Sequence, residues 1–157
     1  MKTRDRILLC TLELYNADGE PNVTTLDIAN ELEISPGNLY YHFKGKEALL
    51  EALVDDFLLS THSLLVSPEE PDDASPDDLW LLLHLLFEAI ATHRFLFQDL
   101  SNLMGRYPFL RHAMRPWLAA LRSRLNQVLR ALRNSGHLIC DEASLKFRGS
   151  VQLQLDM

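Results

Sequence analysis

A chain of 157 residues, 47% apolar and 24% charged, can build a sizeable core as one medium domain or as a small domain joined to a larger one. Its longest apolar stretch, 79–87, is broken by His84 and too short to span a bilayer, and Glu13 interrupts the first apolar run too early for a signal peptide. The net charge of −7 argues against nucleic acid only on average, because six of the 22 acids crowd into 69–78 while 100–140 carries seven arginines and no acid, and binding follows the local field.

Residues 3–18 place Ile7, Leu8, Thr11, Leu14 and Tyr15 at helical spacing and stop at Gly19, a natural C-terminal cap. "TTLD", 24–27, is a capping box that opens a helix burying Ile28, Ala29 and Leu32. After a tight turn Ser35 caps the next helix, and Pro36 fills its first position, where a missing N–H is harmless. A fourth helix starts near Lys46 and turns Leu49, Leu50, Leu53, Val54, Phe57 and Leu58 inward. "SPEEPDDASP", 67–76, reads as a linker, with Ser75-Pro76-Asp77-Asp78 starting the next helix. That helix is apolar nearly all round, which predicts a central buried element. A helix follows over 95–104, then a long one over 108–134, expected to kink at Pro116 and end at Gly136. Asp141 is expected to cap one more helix that the chain end cuts short. With no strand signal, the fold class is all-α.

The two short helices of 24–43 make a helix-turn-helix, in which the second helix lies in the DNA major groove. At 100° per residue Leu39 and Phe43 share one side, while Gly37, Asn38 and Tyr41 face the opposite way, with Tyr40 and His42 on the flanks. The outward set suits DNA. Asn38 can give to and accept from a base edge, and Gly37 lets backbone approach the groove. Tyr40, Tyr41, His42, Thr24, Thr25, Lys44 and Lys46 can bond phosphate oxygens, as can the free N–H groups at both helix starts. By spacing alone the segment equally fits an ordinary helical hairpin whose tyrosines half-pack on the core.

"VTTLDIANELEISPGNLYYHFKGKEALLEAL" resembles the DNA-binding domain of the TetR family of transcriptional regulators. The shared pattern is Thr24 or Thr25, Ile28-Ala29, the run from Leu39 to Phe43, and Lys46-Glu47-Ala48-Leu49-Leu50. "RILLCTLELYNADG" is similar to the family's first helix. The resemblance covers the first third of the chain and puts Thr25, Gly37, Asn38, Tyr40, Tyr41, His42 and Lys46 at family DNA-contact positions. Two residues depart from the pattern. Leu26 replaces a base-reading polar residue, leaving an apolar contact such as a thymine methyl. Glu33 stands for a turn glycine, at about 1 kcal/mol if φ is positive there. With Ser35 at the helix cap, the candidate DNA contacts are Thr24, Thr25, Leu26, Ser35, Gly37, Asn38, Tyr40, Tyr41, His42, Lys44 and Lys46. "ISPGNLYYHF" with "HRFLFQDLSNLMGR" also looks like the TetR-type regulators of polyhydroxyalkanoate synthesis clusters.

The resemblance implies a helix-turn-helix domain over 1–46 and a helical effector-binding and dimerisation domain over 47–157, whose family interface helices are either lost to truncation of the C-terminus or rebuilt from elsewhere. The implied partners are double-stranded operator DNA, a small-molecule effector and a second copy of the chain, in the cytoplasm and away from membranes. Apolar walls beside an acid-free, arginine-rich stretch suit an effector with a greasy tail and an anionic head, such as a fatty acid or acyl-coenzyme A. Its expected lining is Trp80, Leu83, His84, Phe87, Glu88, Phe97, Gln98, Asn102, Arg111 and Trp117. On the long helix Leu118, Leu121, Leu125, Leu129 and Leu132 are expected as the core face, with Arg122 and Arg124 as flanking solvated stems. No metal is expected, because His84 and Glu88 have no further ligand at suitable spacing. Cys10 and Cys140 lack C-x-x-C spacing. "FKGKEALL" lacks the first glycine and the hydroxyl residue of a P-loop. No nucleophile pairs with a base, so neither a cofactor nor an enzyme is expected. The competing class is a helical acyl-ligand binding or carrier protein without DNA binding.

Overall fold

The computed structural model describes residues 2–66 and 74–139, and every α or 3-10 element among them is a helix. The segment 67–73 of the expected linker and the expected helix start at Asp141 lie outside the described residues. Helix α1 (Thr3–Asp18) buries Ile7, Cys10, Thr11 and Tyr15, and Gly19 ends it at φ +83° with its N–H on the Tyr15 carbonyl at 3.0 Å. That conformation is open to glycine and strained for other residues. After a 3-10 turn, Glu20–Asn22, come α2 (Thr25–Glu31) and α3 (Pro36–His42). The capping box at α2 is formed: Thr24 Oγ1 accepts the Asp27 N–H at 3.2 Å, and Asp27 accepts the Thr24 N–H at 2.8 Å. Ser35 caps α3 through the Asn38 N–H at 3.1 Å, with Pro36 at the first helical position.

Helix α4 (Lys46–Leu65) is the spine. Its stripe Leu49, Leu50, Leu53, Val54, Phe57, Thr61 and Leu65 is buried at helical spacing, and it packs against α1, α5 (Pro76–Thr92) and α8 (Pro108–Asn134). One contiguous core therefore runs from the helix-turn-helix into the C-terminal helices. Between α5 and α8 the expected single helix over 95–104 is two, α6 (Arg94–Gln98) and α7 (Leu100–Arg106). Asp99 breaks it at φ −132°, and its carboxylate takes the Asn102 amide at 2.6 Å. At φ −132° and ψ 29° Asp99 lies outside the helical region, so the backbone ladder stops there and restarts at Leu100.

Two expected faces are corrected. Helix α5 is not a central buried element: only Leu82 and Leu86 are buried, while Trp80 and Phe87 are 65% and 64% exposed. It lies at the edge of the helical body, where α4 and α8 cover a single stripe. Helix α8 runs unbroken through Pro116 and turns in Leu110, Met114, Trp117, Val128, Ala131 and Leu132, leaving Leu118 exposed. At 100° per residue this stripe is rotated by roughly 60° from the expected leucine face. Trp117 sets the rotation: its ring lies 5.2 Å from Phe57, and its Nε1 donates to Thr61 Oγ1 at 2.9 Å. Stepping three or four residues from Trp117 along that stripe leads to Leu121, Arg124 and Val128, so Arg124 is no solvated flank.

Candidate nucleic-acid interface and effector region

Helix α3 divides its side chains sharply. Leu39 and Phe43 are 2% and 4% exposed, whereas Tyr40 and Tyr41 are 57% and 77% exposed. Gly37 and Asn38 share the exposed side, and His42 is half-buried, its ring edge-on to Tyr41 at 5.1 Å. Two adjacent tyrosines held out on a seven-residue helix contribute little to the core. A Cβ on Gly37 would meet nothing nearer than Ser35 Oγ at 3.9 Å, so packing does not demand glycine there. With Asn38 capped and Pro36 lacking an N–H, the Gly37 amide stays open to an acceptor outside the chain.

The hydroxyls and charges around this helix are not equally free. Thr24 gives its hydroxyl proton to Asp27 at 2.6 Å, which holds that carboxyl below its ordinary value, and Thr25 is half-buried beside it. Leu26 is exposed, as an apolar base contact requires. Lys44 stays on the surface with Nζ 4.5 Å from the Tyr40 ring centre. Lys46 is committed inward: Nζ lies 3.0 Å from Glu20 Oε1 and also donates to the Glu20 carbonyl. Arg4, which sequence reasoning missed, sits over the Phe43 ring at 4.9 Å and sets a second cation beside α3. The basic run at the N-terminus was its signal.

The expected effector lining does not converge. Trp80 stacks on His84 at 4.8 Å, and His84 pairs with Glu88 at 3.3 Å, all on the exposed side of α5 with Phe87. Leu83 is half-buried, and Gln98, Asn102 and Arg111 are exposed. Phe97 and Trp117 belong instead to the main core with Phe57. His93 is buried, with Nδ1 3.2 Å from the Ala89 carbonyl and Nε2 3.2 Å from Asp56, a satisfied core residue. Among the described residues no group of three or more His, Cys, Asp or Glu is placed to hold a metal, and no helix is long and apolar enough to cross a membrane.

A different cavity, of about 270 Å³, opens between α4, α5 and α8. It is lined by Ser63, Leu64, Ala74, Asp78, Leu81, Leu82, Leu85, Arg124 and Val128. It adjoins a small second core of Ala74, Leu82, Val128, Ala131 and Leu132.

Comparison with known proteins agrees with this architecture. Residues 7–53 match the family model described as bacterial regulatory proteins of the tetR family, and residues 60–147 match the TetR model described as a bacterial transcriptional repressor. The tetracycline repressor protein class C of Escherichia coli is 37% identical over 70 residues, 45% of this chain and 32% of that protein. The chain thus matches about a third of the length of that relative. The nucleoid occlusion factor SlmA of Shewanella amazonensis is 31% identical over 147 residues, 90% of this chain and 74% of that protein. A crystal structure of a TetR-family transcriptional regulator from Marinobacter aquaeolei superposes with a TM-score of 0.84 at 33% identity, covering 92% of this chain and 71% of that one. These matches speak to the family and not to the narrower group of polyhydroxyalkanoate regulators.

Proposed function

The chain belongs to the TetR family of bacterial regulators, and on that footing we propose that it reads operator DNA through α3 and answers to a small-molecule effector bound among its C-terminal helices. The observation that carries the DNA contact is the split of α3, Leu39 and Phe43 inside and Tyr40 and Tyr41 outside. In this reading Asn38 and the Gly37 backbone meet base edges. Tyr40, Tyr41, His42, Lys44 and Arg4 hold the phosphates that flank them. Lys46 acts at one remove, fixing the start of α4 through Glu20. Two copies reading a two-fold symmetric site would set their α3 helices about 34–36 Å apart. The effector would be an amphiphile with an anionic head, such as a fatty acid. The protein would carry out no reaction of its own.

Binding to duplex DNA from the flank of its own gene, followed by fluorescence anisotropy at several salt concentrations, tests the proposal. Affinity should fall steeply as salt rises, since phosphate contacts release counterions; a helical ligand carrier would show no such slope. Tyr41→Ala should weaken binding by about 1 kcal/mol or more without loss of fold. Gly37→Ala separates stability from recognition more cleanly. Alanine is the better helix former by up to about 1 kcal/mol, so melting should hold or rise, while the added methyl keeps backbone from the groove and lowers DNA affinity. Wild-type DNA affinity in both variants would remove α3 from the groove.

A further inference from the structure

Arg124 occupies a position where α8 otherwise turns apolar side chains inward, between Leu121 and Val128 on the buried stripe. Among the described residues its Nε and Nη1 atoms are buried without a hydrogen-bond partner, and no ion pair includes Arg124. It lines the cavity of about 270 Å³ whose other walls are mostly apolar: Leu64 from α4, Leu81, Leu82 and Leu85 from α5, and Val128. The one carboxylate in that lining, Asp78, is already held by the Ser75 N–H and hydroxyl, both at 2.8 Å, and forms no bridge to Arg124. Two guanidinium nitrogens buried without a partner lose hydration that the described fold does not replace. What would replace it is an anion presented from inside the cavity.

We propose that this cavity is the effector site and that Arg124 binds the carboxylate of a small amphiphilic acid whose tail lies against Leu64, Leu81, Leu82 and Leu85. The planar fork of a guanidinium matches a carboxylate bidentately. The volume falls just below the roughly 300–1,000 Å³ that drug-sized ligands occupy. A short or medium-chain acid therefore fits and a whole acyl-coenzyme A does not. The position also suits regulation, and here the inference rests on the regulator reading above. Ser63 and Leu64 lie at the far end of the helix whose first residue, Lys46, follows α3 by a three-residue connection. At 1.5 Å per residue that 20-residue rod is about 30 Å long. A ligand wedged between α4, α5 and α8 shifts DNA affinity by whatever preference it has for one setting of the rod.

Octanoate, octanoyl-coenzyme A and the uncharged 1-octanol serve as probes in calorimetric titrations of the wild type, Arg124→Gln and Leu85→Trp. Octanoate should bind the wild type and 1-octanol should not. Arg124→Gln should weaken octanoate roughly tenfold or more, the loss of a charge-assisted bond. Leu85→Trp should abolish binding by filling the cavity while leaving the charge in place. The empty Arg124→Gln protein should melt no lower than wild type, because it loses no partner. Equal octanoate affinity in all three proteins, 1-octanol binding as well as octanoate, or binding of the coenzyme A ester alone overturns the site. DNA anisotropy with and without octanoate separates the two levels. Octanoate bound through Arg124 with DNA affinity unmoved upholds the site and overturns its regulatory role, and DNA binding intact with no octanoate binding overturns the site and spares the regulator.

Discussion

Glu33 holds φ at +54°, the one non-glycine residue with positive φ among the described residues, in the turn between the two short helices. Its N–H reaches the Asn30 carbonyl at 3.1 Å, and the Ile34 N–H reaches Ala29 at 3.0 Å, so both neighbours pin the strained conformation. An L-residue in the left-handed region costs about 1–2 kcal/mol relative to glycine. Glu33→Gly should therefore raise stability by about 1 kcal/mol, less the greater freedom glycine has when unfolded. Chemical denaturation read by circular dichroism checks this, and an unchanged or lowered midpoint would mean that the turn carries no strain. The departure was legible in sequence as a charged residue at a glycine position, and its backbone angle followed from the turn that the two helices require.

At the scale of elements, local chemistry was easier to read than orientation. Gly19, Thr24 with Asp27, Ser35 with Pro36, and Ser75 with Asp78 each announce a helix end through a bond within three or four residues. The structure has these boundaries where those residues set them. The faces of α5 and α8 depend on partners on other helices, 56 residues away for Trp117 and Thr61, and there leucine counting failed. In α8 the rotation is decided by Trp117 meeting Thr61 and Phe57 on α4. The apolar girth of α5 hid the fact that only one stripe of it is covered. For the same reason the expected effector lining split, with Trp80 and His84 outside and Trp117 in the core, and Arg124 passed for a solvated stem. Two substitutions measure the rotation. Leu110→Ala, at a site with no exposure, should cost about 2–5 kcal/mol, and Leu118→Ala, at the expected but exposed face, should stay near 0.5 kcal/mol. Equal losses would restore the leucine face.

Across the whole molecule, α1 and the turn after it meet the C-terminal helices at polar joints built on Asn16 and Glu20. Asn16 on α1 donates to the Thr92 carbonyl at 2.8 Å and accepts the Phe95 N–H at 3.0 Å, so one side chain satisfies the end of α5 and the start of α6. Glu20, 2% exposed, gathers Lys46 from the start of α4, Arg106 from the end of α7, and the Tyr107 hydroxyl at 2.7 Å. Burial by itself would push the Glu20 carboxyl up. The hydrogen bonds from Tyr107 and Lys46 and the charges of Lys46 and Arg106 outweigh it and bring the carboxyl below its ordinary 4.5. Burial first, and then the bond to Glu20, push the Tyr107 hydroxyl up to about 12, so it remains a donor. A carboxyl with a lowered folded pKa adds stability that is complete above its unfolded value and is lost as pH falls through the folded one. The wild type should thus lose melting temperature faster than Glu20→Gln as pH drops from 5 toward about 3, while at pH 7 the variant should already be weaker by about 1–3 kcal/mol. Partial exposure of Lys46 and Arg106 holds that figure toward its lower end. If this joint transmits the setting of α4, Glu20→Gln should still bind DNA but respond less to an effector. Parallel melting curves across that pH range would show that Glu20 does not hold the joint.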